Sequence, residues 1–142
     1  MIVRGDLVAS AVCIFIGITF STLPHWLWWP RLGAPIYIAD HDDLLYLSFT
    51  GQAYFNHPLS LGDPACTAGG RSLFPWIQFI PGIALARVLG LGPLGVDLIW
   101  RIWAGLSIAL GFYAVIRYFL PRPAWAAVVT IVLLADIGIF TV

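Results

Sequence analysis

Residues 94–119 read LGVDLIWRIWAGLSIALGFYAVIRYF, a run whose only charges are Asp97, Arg101 and Arg117. Crossing ~30 Å of bilayer hydrocarbon takes about 20 helical residues, so this stretch is long enough to span. Working outward, segments 7–29, 73–91 and 124–142 meet the same requirement. Lipid offers no hydrogen-bond partners, so every backbone N–H and C=O in such runs needs one within its own helix. The expected fold is therefore all-α: a polytopic transmembrane bundle of about four spans, forming a single transmembrane domain over 1–142, with one polar loop over 30–72. Gly90, Gly92, Pro93 and Gly95 punctuate the second connection, and Pro121-Arg122-Pro123 the third. Both are tight turns, which predicts antiparallel neighbours.

Composition agrees with this reading. Of 142 residues, 61% are apolar and 10% charged, too little polar surface to coat a water-soluble globule. The seven acids are all Asp, the seven bases all Arg, and the net charge is zero. No basic face stands out, which argues against nucleic acid as a partner. Cys13 falls inside the first apolar run and Cys66 in the polar loop, depths that do not favour a disulfide. The opening stretch has Arg4 before an apolar run, as a signal peptide does. However, Asp6 weakens its charged head, no small-residue cleavage site follows, and it flows into His25-Trp26-Leu27-Trp28-Trp29, an aromatic cluster suited to a membrane interface. An uncleaved first span is expected. The last run stays apolar to Val142 with no aromatic or basic anchor, which reads as a fragment whose further C-terminal spans are missing.

The loop gathers polar residues, and loops of this kind commonly carry function. Asp40-His41-Asp42-Asp43 is its densest cluster, a few residues beyond the Trp belt. Carboxylates this close repel one another unless a proton, a substrate hydroxyl or a divalent ion answers them. Asp40 and Asp42 are the candidate metal ligands, with Mg²⁺ or Mn²⁺ the cations that favour such oxygens. The plainer reading is that Asp42 or Asp43 caps the segment 44–55, a short helix along the membrane surface that ends before Asn56-His57-Pro58.

A larger order of motifs bears on this choice. Asp42-Asp43-Leu44-Leu45-Tyr46 heads the surface helix, and Arg71-Ser72-Leu73-Phe74-Pro75-Trp76 opens the second span. Arg101 lies early in the third span and Tyr113 to Tyr118 close it. From about residue 35 onward this resembles the N-terminal part of the GT-C superfamily of polytopic membrane glycosyltransferases, in particular the aminoarabinose-transferase and protein-mannosyltransferase-like branch. The resemblance implies an inverting enzyme that moves a sugar from a polyprenyl-phosphate donor to an acceptor hydroxyl. Its base would be Asp42, with Asp43 and Asp40 beside it in the catalytic cluster. Arg71 would grip the leaving phosphate, with Tyr46 and His41 at the substrate. Ser72 and Leu73 stand where the family commonly has paired prolines. No cofactor is required by the resemblance. The setting it implies is a bacterial inner membrane with loop 30–72 extracytoplasmic.

Elsewhere, Asp97 and Arg101 are four residues apart with the acid first, the favourable order for a helical ion pair. Asp136 lies roughly 13 residues into the fourth span, about 19 Å along a helix. Four alternating spans with a cytoplasmic N-terminus leave Arg31, Arg71, Arg117 and Arg122 outside, against the positive-inside rule. The competing expectations are a transporter fragment, with Asp97, Arg101 and Asp136 on an ion path, and a small non-catalytic membrane protein.

Overall fold

The computed structural model describes residues 4–33, 41–55 and 80–140, with backbone alone at 41–46 and 137–140. Among the described residues all regular structure is helical: α1 (Arg4–Leu32), α2 (His41–Phe55), α3 (Ile80–Leu89), α4 (Gly92–Phe119) and α5 (Pro123–Phe140). α1 and α4, with 29 and 28 residues, are each long and apolar enough to cross a membrane. Over the second expected span, 73–79 fall outside the described residues and α3 supplies ten.

The helix ends follow local chemistry. At the end of α3 the Gly90 amide donates to the Arg87 carbonyl and the Leu91 amide to the Ala86 carbonyl. That is the double reverse bond of a Schellman cap, and it needs a left-handed residue between, which Gly90 provides at φ 67°. α1 ends in the simpler form, with the Gly33 amide on the Trp29 carbonyl and Gly33 at φ 68°. α5 starts on Pro123, whose fixed φ suits a first helical turn and whose missing N–H costs nothing there.

The chain divides into two compact units. One comprises Met1–Leu27 and Arg101–Val142, the other Trp28–Trp100. In the first, α1, α4 and α5 form a bundle around Ala9, Cys13, Ala109, Tyr113, Ala126, Ala127 and Leu134. Direction follows from the contacts. Asp6 meets Arg117 and Tyr113, whereas Gly17 meets Gly105 and Ala109, so α1 and α4 are antiparallel. Gly5 lies beside Pro123 and the Cys13 thiol donates to the Ala127 carbonyl at 3.9 Å, so α5 is parallel to α1.

Four-residue spacing makes this close packing possible. Ala9, Cys13, Gly17 and Ser21 form one row of small side chains on α1, and Gly105 and Ala109 begin the facing row on α4. A Cβ on Gly17 would stand 2.6 Å from the Gly105 carbonyl oxygen and 2.8 Å from the Ala109 Cβ. The helices thus touch backbone to backbone, as small-residue pairs allow in membranes.

This direction differs from the alternation expected from four spans. There, Arg117 belongs at the opposite face from Asp6; in the structure the two are bonded. Leu27 and Arg101, where the chain leaves and re-enters this unit, consequently lie at the same end of it.

In the second unit, Phe49 and Ala53 of α2 pack with Ile83 and Ala86 of α3 and Val96 and Ile99 of α4. Gly82 keeps α3 close to α4, since a Cβ there would meet Val96 and Trp100 at 3.2 and 3.0 Å. The helix expected over 44–55 therefore exists, begins at His41 rather than after Asp42 or Asp43, and buries one face against helical neighbours.

Candidate functional site

The acidic cluster sits at the head of α2. The backbone of His41, Asp42, Asp43 and Tyr46 is helical, while their side chains, together with Asp40 and Arg71 entirely, lie outside the described residues. What is described is how the helix that carries the acids is held. Phe49, Thr50 and Ala53 are buried, so the second half of α2 has a fixed inward face. At its C-terminus the last carbonyls carry the negative end of the helix dipole and lack helical donors. Arg87 of α3 answers them: its guanidinium donates to the carbonyls of Ala53, at 3.4 Å, and of Tyr54. The same guanidinium lies 5.4 Å from the centre of the Tyr54 ring, a cation–π distance. Arg87 thus fastens the foot of the helix whose head carries the acids.

The described polar constellation of the first unit is Asp6, Tyr113 and Arg117. The Arg117 Nε donates to Asp6 Oδ1 at 2.6 Å, its Nη2 approaches Oδ2 at 3.5 Å, and the Tyr113 hydroxyl donates to Oδ1 at 3.0 Å. Arg117 also donates from Nη1 to the Leu120 carbonyl at 3.1 Å, covering an orphan acceptor at the end of α4. Asp6 stands in the first turn of α1 and Arg117 in the last turn of α4, each the sign its helix end favours. The arrangement neutralises and locks both charges. Sequence reading took Tyr113 as a member of a motif, Arg117 as a member of that motif and as a charge in the topology count, and Asp6 as evidence against a signal peptide, with no link among the three. The available signal was that an acid and a base at the ends of two apolar helices each need a partner.

Asp97 and Arg101 are both half-buried on α4 and both take part in interactions within the fold. Asp136 is exposed on α5. Cys13 is a buried free thiol, and Cys66 and His57 lie outside the described residues. His25, grouped with the interfacial aromatics on sequence grounds, is buried, at 1% exposure. Among the described residues no three His, Cys or Asp side chains gather as a metal site. The Asp40 and Asp42 side chains are not among those residues.

Aromatic side chains band the two ends of the helices. Trp26, Trp28 and Trp29 are exposed near the end of α1, where the Arg31 guanidinium lies 5.2 Å from the Trp28 ring centre. Tyr118, Phe119 and Trp125 are exposed at the end where Asp6 and Arg117 meet. The chain matches no protein-family model, no curated protein and no solved structure.

Proposed function

We propose that the chain is an integral membrane protein of the glycosyltransferase kind, with α1, α4 and α5 crossing the bilayer. The antiparallel pairing of α1 and α4 carries this reading. With both crossing, the end of α1 and the start of α4 open on one side, and the acid-headed helix α2 packs on Val96 and Ile99 at that start of α4, at the depth where a lipid-linked sugar presents its phosphate. Spacing supports the membrane part of the proposal: Asp6 and Trp26 are twenty residues apart, about 30 Å of helix, the thickness of the hydrocarbon core. Trp26, Trp28 and Trp29 mark one boundary and Tyr118, Phe119 and Trp125 the other, the positions aromatic belts favour. With the N-terminus in the cytoplasm, Arg117 and Arg122 join Arg4 on the inner side, and the chief conflict with the positive-inside rule disappears.

In this reading Asp42 takes the proton from an acceptor hydroxyl, whose oxygen attacks the anomeric carbon as the bond to the polyprenyl phosphate breaks. Attack from the face opposite the phosphate inverts the configuration. Asp43 and Asp40 tune the base, Asp40 and Asp42 would hold a divalent ion, Arg71 steadies the departing phosphate, and Tyr46 and His41 contact substrate. A transporter with Asp97, Arg101 and Asp136 on one ion path has less support, because Asp136 is on the outward face of the α1, α4, α5 bundle. Removing a positioned general base costs about 100- to 10,000-fold in rate. With the membrane-embedded protein and a polyprenyl-phosphate sugar, Asp42→Asn should lower transfer by that factor with insertion unchanged. Undiminished transfer in that variant rejects the assignment.

A further inference from the structure

We propose that the outward face of α5 is a docking surface for a transmembrane helix of a partner chain that presents one basic side chain at the depth of Asp136. The proposal rests on the membrane reading above but not on the sugar-transfer reading. On α5, Ala126, Ala127, Thr130 and Leu134 are buried against the bundle, which fixes the opposite side as the outward one. Trp125, Val128, Val129, Val132 and Leu133 are exposed there, and Val132 is 62% exposed. Successive positions 125, 128 or 129, 132 and 136 repeat at three and four residues, the spacing of a seam between two helices. Asp136 falls within this stripe, and it is exposed.

Depth makes the acid informative. Pro123 lies beside Gly5, which levels the start of α5 with the Asp6 end of the bundle. Asp136 is thirteen residues farther on, about 19 Å into a core of ~30 Å. An acid at such depth belongs against a partner, and intramembrane carboxylates commonly pair with basic groups. The other acid of this bundle, Asp6, has its arginine; among the described residues none answers Asp136. A second copy offers the same acid at the same depth and would set carboxylate against carboxylate, so charge selects a different helix bearing Arg or Lys. The valine-rich stripe supplies the apolar remainder of the contact.

The test uses the whole chain in phosphatidylcholine vesicles and two synthetic transmembrane peptides of Leu and Ala, one with a central Arg and one with Leu in its place. Flotation of the chain with the vesicles checks the membrane reading separately. Energy transfer between labelled chain and peptide should show about tenfold tighter association of the Arg peptide, the scale of interhelical polar contacts in bilayers. Asp136→Leu, which only makes the helix more apolar, should reduce that preference to within about twofold. Equal association of both peptides, a preference that survives Asp136→Leu, or Asp136-dependent self-association in place of peptide binding each overturns the proposal.

Discussion

At the scale of single residues, Gly17 and Gly105 decide how α1 and α4 meet. Any Cβ at Gly105 would run into the Gly17 carbonyl and the Ser21 hydroxyl, and the former is backbone that cannot swing away. Gly111, on the same helix, has nothing within 4 Å of where its Cβ would be. The two glycines should therefore answer in opposite directions. Gly105→Ala should destabilise the protein by about 1–3 kcal/mol through overpacking. Gly111→Ala should leave it unchanged or stabilise it by up to about 1 kcal/mol through helix propensity. Unfolding of the detergent-solubilised protein measures both, and equal effects would contradict the close crossing. Neither glycine stood out in the sequence. Small residues four apart are frequent in apolar helices, and only the facing row on a second helix, nearly ninety residues away, tells which ones touch.

At the scale of elements, the Arg87 contact to α2 has a measurable consequence. The guanidinium covers carbonyls at the foot of α2, so Arg87→Met should loosen the last turn while leaving Phe49 and Ala53 to hold the helix in place. Hydrogen exchange at residues 51–55 should accelerate about two- to fivefold, the equivalent of roughly 0.5–1 kcal/mol for a charge at a helix end. Unchanged exchange would mean that water satisfies those carbonyls equally well. The helices themselves were legible from hydropathy. α1, α4 and α5 begin and end within a few residues of the expected spans, because long apolar runs bounded by Gly and Pro leave the backbone few options. α2 was legible from its acidic head and the Asn56-His57-Pro58 that follows it. Its grip by Arg87 was not, since no spacing rule links residues 33 apart.

At the scale of the whole molecule, the question is which connections share a side of the membrane. The acid-to-arginine bond between Asp6 and Arg117 puts the N-terminus of α1 and the α4–α5 turn together. Leu32→Cys and Leu91→Cys, each in a Cys66→Ser background, should therefore react with an impermeant maleimide from the same side of a sealed vesicle. Arg122→Cys should react from the other. Labelling of positions 32 and 91 from opposite sides would restore a crossing between them. Hydropathy alone could not settle this point. Residues 73–91 are apolar enough to count as a span, and nothing local distinguishes a helix that crosses from one that lies beside the membrane. The catalytic assignment is a proposal that rests on an order of short motifs, and its acids, Asp40, Asp42 and Asp43, have side chains outside the described residues.

Two rods pinned at one point can still scissor about it, but pinned at two they cannot. The glycine crossing is one such pin and the Asp6–Arg117 bond, eleven residues lower on α1 and so about 17 Å away, is the other. Fixed at both, α1 and α4 hold their register as well as their direction, which a single contact leaves open.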